Sequence, residues 1–220
     1  MKIGIGVTTY KREDLLSECI SKITEYTKSD FTLYVATDTD EDRRGIAYRK
    51  NECLKNLKDC DYIFLFDDDC FPCKEGWETY IIQVSYLSKE NHFVLQDAKN
   101  HKVKNVSFVY PHVLLNLENS GGVFMFITKE CLKTIGGFYE GYNTYGFEHI
   151  GYSFRAYLSK VTSYPFVTIE NLNEYIFSHD YQHESFQDKM SSVSKEEKTN
   201  FIEENKQIFQ EEIKKIYYEV

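Results

Sequence analysis

Apolar residues open this chain in short unbroken runs, separated by stripes of wider spacing. Ile3-Gly4-Ile5-Gly6-Val7-Thr8-Thr9 is β-branched and punctuated by glycine, the pattern of a buried parallel strand. Leu15, Leu16, Cys19, Ile20 and Ile23 then fall on one face of a helix. Residues 31–36 predict a second strand, which ends in Thr37-Asp38-Thr39-Asp40-Glu41-Asp42. A second helix carries Ile46, Ala47, Cys53, Leu54 and Leu57 on its inner side. Tyr62-Ile63-Phe64-Leu65-Phe66 is a continuous apolar strand running straight into Asp67-Asp68-Asp69. Strand, helix, strand, helix, strand is the arrangement of a parallel sheet with helices on both faces.

The second half is mixed. The pattern predicts a helix over 77–87, short strands near 93–96 and 106–110, and a strand over 122–127. Thr128 is placed to cap a helix that runs to Ile135 and is broken by Gly136-Gly137. A Gly- and Tyr-rich loop over 139–146 leads to an amphipathic helix over 148–158. The Glu/Lys-rich last thirty residues, with Phe201, Ile202, Ile208, Phe209, Ile213 and Ile216, read as a packed terminal helix. No repeat or linker interrupts the chain, so one domain over 1–220 is expected.

Composition narrows the function. A formal net charge of -9 repels phosphate backbones and makes nucleic acid an unlikely partner, although Arg43, Arg44, Arg49 and Lys50 form a local basic cluster. No run reaches the ~18 apolar residues a membrane span needs, and residues 1–9 do not resemble a signal peptide. Six cysteines without a secretory signal predict reduced thiols and a cytoplasmic location. Cys70 and Cys73 form a CxxC with no second ligand pair nearby, which reads as structural.

In open parallel sheets ligands bind beyond the carboxyl ends of the strands. Thr8-Thr9-Tyr10, Asp38 and Asp67-Asp68-Asp69 all stand at such ends and would converge on one crevice. Asp67 and Asp69, roughly 7 Å apart along extended chain, project to the same side. They suit a Mn2+ or Mg2+ ion completed by diphosphate and water. The competing reading is a solvated acidic turn; a bound dication would relieve the mutual repulsion of three adjacent acids.

Val7-Thr8-Thr9-Tyr10-Lys11-Arg12 resembles the nucleotide-binding first strand of glycosyltransferase family 2 and its GT-A relatives. Gly45-Ile46-Ala47-Tyr48-Arg49-Lys50-Asn51 is similar to that family's helix motif, with Arg49 near the family arginine. Phe64-Leu65-Phe66-Asp67-Asp68-Asp69 resembles its metal motif. Gly121-Gly122-Val123-Phe124, Ile135-Gly136-Gly137-Phe138 and Tyr145-Gly146-Phe147-Glu148, closed by Arg155, resemble its acceptor side. The resemblance covers about residues 3–180. It implies an α/β GT-A fold: a Rossmann-like, mostly parallel central sheet flanked by helices, with a smaller mixed acceptor-side half. Within that one domain it implies a nucleotide-binding half (1–100), an acceptor and catalytic half (101–185) and a C-terminal helix (186–220). It implies donor contacts from Thr8, Thr9, Tyr10, Arg12, Asp38 (toward uracil), Arg49, Asp67 and Asp68, and metal ligation by Asp67 and Asp69. A further metal ligand is expected from His179, with His183 in reserve. The sequence departs from the family at His149, where a second acid is usual, so Glu148 is expected to be the catalytic base. Similarity of Glu148 to Arg155 with retaining GT-A families leaves the stereochemistry open.

The expected activity is metal-dependent transfer of a hexosyl or pentosyl group from a nucleotide sugar, UDP-linked by preference, to a glycan or other hydroxyl acceptor, by inverting displacement. The alternatives are a phosphatase of the haloacid dehalogenase type, whose Asp-x-Asp normally lies on the first strand, and a catalytically silent sugar-binding relative. Arg43 and Arg44 fit diphosphate steering or a basic turn equally. Trp77 and Tyr142 fit packing better than stacking on a ligand.

Overall fold

The computed structural model describes all residues except 98–99, 143–145 and 183–193. Its central sheet has the order β2 (Phe31–Asp38), β1 (Ile3–Tyr10), β3 (Tyr62–Asp67), β8 (Phe124–Thr128), β5 (His92–Val94). β2 and β3 lie parallel to β1, β8 runs antiparallel to β3, and β5 is antiparallel to β8. Four of the five strands therefore point the same way, the mostly parallel sheet that the first half predicts.

Alternation along the strands decides which helix covers which face. Ile3, Ile5 and Val7 of β1 join Phe64, Phe66, Phe93, Phe124 and Phe126 in a layer under α1 (Glu13–Tyr26) and α3 (Trp77–Ser88). Trp77 fills the centre of that layer, with its ring 4.6 Å from Phe64 and 5.6 Å from Phe66, so it packs rather than binds. Ile63, Leu65, Met125 and Ile127 face the other way, toward α2 (Ile46–Leu57), α4 (Lys129–Ile135) and α5 (Glu148–Leu158). Gly4 and Gly6 allow α2 to lie directly on β1: a Cβ at Gly6 would stand 2.7 Å from Cys53 Cβ. Thr128 caps α4 as predicted, accepting the Cys131 N–H at 3.1 Å.

Beyond the central sheet, β4 (Cys70–Pro72) pairs with β10 (Ile176–Ser178). β6 (Val103–Val109), β7 (His112–Leu117) and β9 (Val167–Ile169) form a three-stranded sheet. The short helix α6 (His179–Gln182) follows β10, and α7 (Lys195–Glu212) packs on α5. Arg155 of α5, fully buried, ties this terminal region down. It donates to Glu212, to the carbonyls of Ile135 and Gly137, and to Ile216 O. The six cysteines are unbridged, Cys70 and Cys73 included. No helix among the described residues is long and apolar enough to cross a membrane.

Candidate active site

The topology explains why one edge of the sheet collects the chemistry. β1, β2 and β3 end there, β5 ends on the same edge, and the antiparallel β8 begins there. Residues from all five strand ends line one open cleft of about 520 Å³, among them Thr8, Tyr10, Asp38, Asp67, Asp97 and Gly122.

Asp67 closes β3, and Asp68 and Asp69 form the turn into β4. Thr8 Oγ1 donates to Asp67 Oδ1 at 3.0 Å, and Thr9 Oγ1 to Asp68 Oδ2 at 2.6 Å. Arg12, at the start of α1, donates to Asp69 Oδ2 at 2.8 Å and forms an ion pair with Asp68. Asp67 and Asp69 open onto the cleft, as the i, i+2 spacing predicts; Asp68 is buried beneath it and does not reach it. Burial pushes the Asp68 carboxyl up to about 6 against the pull of Arg12 and Thr9. Asp69 is also pushed upward, by burial and by Asp180, Asp67 and Asp68, which outweigh Arg12. Its Oδ1 is buried with no hydrogen-bond partner among the described residues. An orphaned carboxylate oxygen among like charges fits a cation. Among the described residues no three His, Cys, Asp or Glu side chains are arranged to hold a metal ion by themselves.

His179 is not brought to that cluster. β10 runs antiparallel to β4, so the His179 N–H reaches Asp69 O at 3.0 Å while its ring turns toward α1. Its Nε2 lies 3.1 Å from Glu18, and its ring meets Phe71 and Phe177 edge-on. The next residue, Asp180, lines the cleft instead. His183 and Tyr145 lie outside the described residues.

At the β1–β2 end, Asp38 accepts from Arg44 N at 2.9 Å, Gly45 N at 3.1 Å and Arg49 Nε at 3.0 Å. Arg49 also reaches Glu52 at 2.6 Å and Asp42 at 2.9 Å, so it braces the loop that leads into α2. The Arg43 guanidinium stacks over Tyr10, 4.4 Å from the ring centre, forming a flat polar wall.

Lys50, one residue on from Arg49, is the side chain that faces the acids. It is fully buried and donates to Gly122 O at 2.9 Å. Its Nζ lies 3.6 Å from Asp67 Oδ1 and 3.4 Å from Glu148 Oε1. Its role was missed on the sequence, though a signal existed: Ala47, Lys50, Leu54 and Leu57 share a helical stripe, and a lysine on an otherwise inward stripe needs a partner.

Glu148 begins α5 after a tight turn in which both Gly146 (φ 91) and Phe147 (φ 73) are left-handed, a costly conformation for a phenylalanine that aims the carboxylate. Burial works to raise the Glu148 pKa, but His149, Lys50 and a backbone N–H outweigh it and hold the carboxyl at about 2. Glu148 Oε1 lies 3.2 Å from His149 Nδ1, whereas Oε2 is buried with no partner among the described residues. His149 Nε2 lies 3.0 Å from Ser120 O. Gly122 makes this crowding possible: a Cβ there would stand 2.9 Å from His149 Nδ1 and 3.0 Å from Lys50 Nζ. The site thus holds an ionised carboxylate with one oxygen anchored and one open. Tyr142, buried and bonded to Glu212, packs behind this turn.

No protein-family model and no curated protein matches the sequence. Solved structures do share the architecture. The catalytic domain of Drosophila beta1,4-galactosyltransferase 7, in complex with xylobiose, superposes with a TM-score of 0.58 at 17% identity, over 88% of this chain and 75% of that one. A mutant of the Drosophila enzyme with manganese, UDP-Gal and xylobiose gives 0.57 at 17% identity, with the same coverage. S. aureus TarS in complex with UDP gives 0.53 at 18% identity, over 72% of this chain; the chain spans 56% of that TarS chain. The fold is that of the GT-A glycosyltransferases.

Proposed function

We propose that this chain, as a single GT-A unit, transfers a hexosyl or pentosyl group from a nucleotide sugar, preferably UDP-linked, to a glycan or other hydroxyl acceptor. The observation that carries the reading is the meeting of Asp67, Asp69 and Glu148 in one cleft at the carboxyl edge of a GT-A sheet. The similarity to structures containing UDP, UDP-Gal, manganese and xylobiose supports the same chemistry. Six unbridged cysteines agree with a cytoplasmic setting.

Asp67 and Asp69 would hold Mn2+ or Mg2+ with diphosphate oxygens and water completing the shell. When bound, the dication supplies charge neutralisation for the departing nucleoside diphosphate. Thr8 and Thr9 fix the acidic turn through their hydroxyls, and Arg12 pairs with its two inner carboxylates. The Tyr10–Arg43 wall and the braced Asp38–Arg49 pair would shape the end where the nucleoside binds, Asp38 being the residue assigned to the base. Glu148 Oε2 accepts the acceptor proton during attack, while Lys50 and His149 anchor Oε1. Attack on the face away from the leaving group gives inversion. The phosphatase alternative fits poorly, because the acidic turn follows the third strand of a GT-A sheet.

The test is loss of UDP-sugar in the presence of Mn2+, with water as the default acceptor. Asp69→Ala is expected to abolish it, and Glu148→Gln to keep donor binding while stopping transfer. Metal-independent turnover by Asp69→Ala, or no turnover by the native chain with any nucleotide sugar, refutes the reading; the second outcome leaves a silent sugar-binding protein.

A further inference from the structure

The cleft runs along the sheet edge from β2 to β5 with the acidic turn in the middle. The arginines among its described lining residues, Arg12, Arg43 and Arg49, all belong to loops or helices that follow β1 and β2. At the other end stand groups the proposed reaction does not use. His101 lies in the loop after β5, and Tyr181 belongs to α6.

Tyr181 Oη is buried and has no hydrogen-bond partner among the described residues. It stands over the backbone of Gly121, where a Cβ would come within 2.3 Å of it. The His101 ring meets Tyr181 edge-on at 5.7 Å. His101 Nδ1 accepts the Asp97 N–H at 2.9 Å, which leaves Nε2 to carry the ring proton. Burial lowers the His101 pKa, so the ring is held as a neutral donor. This end thus offers a hydroxyl that gives or takes a hydrogen bond and an N–H that gives one. The ionisable acids beside them are Asp97, Asp180 and Glu148; the lining arginines follow β1 and β2 at the other end, and the Lys50 ammonium is buried against Glu148. A phosphate or carboxylate would meet like charge here, whereas sugar hydroxyls match both groups.

We propose that the β8–β5 end of the cleft is the acceptor subsite and that it takes an uncharged sugar unit, held through its hydroxyls by Tyr181 Oη and His101 Nε2. The assignment rests on the glycosyltransferase reading above and adds the acceptor's chemical class and the residues that select it.

Neutral p-nitrophenyl glycosides, the corresponding sugar phosphates and serine peptides are offered with the UDP-sugar that the native chain turns over. Transfer to a neutral glycoside is expected. Tyr181→Phe is expected to raise that acceptor's KM by about 3- to 10-fold, the loss of one uncharged hydrogen bond, while the donor Kd measured by calorimetry stays put. The melting temperature of the unliganded variant should hold or rise, because a buried hydroxyl without a partner has been removed. Gly121→Ala, which crowds Tyr181 Oη, should raise the same KM. An unchanged acceptor KM in Tyr181→Phe, a lowered melting temperature, or transfer only to phosphates or peptides overturns the subsite and leaves the transferase reading standing. Absence of any donor turnover by the native chain overturns both.

Discussion

Lys50→Met is the sharpest probe of how the site is held together. The ammonium lies 3.4 Å from Glu148 Oε1 and 3.6 Å from Asp67 Oδ1, out of contact with water. At an effective dielectric constant of about 20, opposite charges at the shorter distance attract by roughly 5 kcal/mol, against the cost of burying both. Methionine fills the space and abandons Glu148 to burial with only His149 beside it. Orphaning one partner of a buried pair costs about 3–5 kcal/mol. For a chain of this length that is a fall of roughly 6–20 °C in melting temperature. The Glu148 carboxyl, now held at about 2, should move upward. The deficit therefore shrinks as pH is lowered and Glu148 protonates. Adding Glu148→Gln removes the stranded charge, so the double variant should regain at least half of the loss. The assay is thermal unfolding of the four proteins of the cycle between pH 5 and pH 8. A Lys50→Met cost under about 1 kcal/mol, or two effects that simply add, would show that the ion pair does not hold the site.

Two further outcomes follow from the core. His92 is fully buried between Phe126 O and Ser153 Oγ, each 2.8 Å away, and burial lowers its pKa from 6.5 to about 4. The folded pKa is depressed, so the charged form is disfavoured on folding. The stability this contributes is complete above pH 6.5 and lost as pH falls through about 4, roughly 3 kcal/mol in all. Acid titration of the unfolding free energy should be shallower in His92→Gln than in the native chain; identical slopes contradict the assignment. Gly6→Ala should cost about 1–3 kcal/mol by driving α2 off β1, since the new methyl meets Cys53 Cβ at 2.7 Å. Chemical denaturation that returns native stability would show that the contact relaxes freely.

The central sheet was legible because its signals are local. Unbroken apolar runs marked β1 and β3, a stripe marked α2, and Thr128 announced the helix it caps. The acidic turn was legible for the same reason, since a strand ending in three acids needs only its own order to be recognised. What failed to show depends on pairing across long stretches of sequence. β7 has its last four residues buried and was passed over, while the exposed β6 was read too short. Its register comes from β6 and β9, the latter more than fifty residues distant. His179 stood at a plausible distance along the chain, yet the antiparallel pairing of β10 with β4 turns its ring away and presents Asp180. Arg49 drew attention as the arginine of its motif, but the helix angle of one residue gave the position against Asp67 and Glu148 to Lys50. Nothing in the letters Gly146-Phe147 announces two successive left-handed residues.

The Arg155 anchorage has a consequence for how the molecule is made. Glu212, its carboxylate partner, is synthesised 57 residues later, which at ordinary ribosome speeds is a delay of roughly 3–11 s. Throughout that interval the helix whose first residue is Glu148 carries an uncompensated guanidinium on the side meant to be dry. The helix that positions Glu148 therefore gains its buried carboxylate partner only once residue 212 has been made.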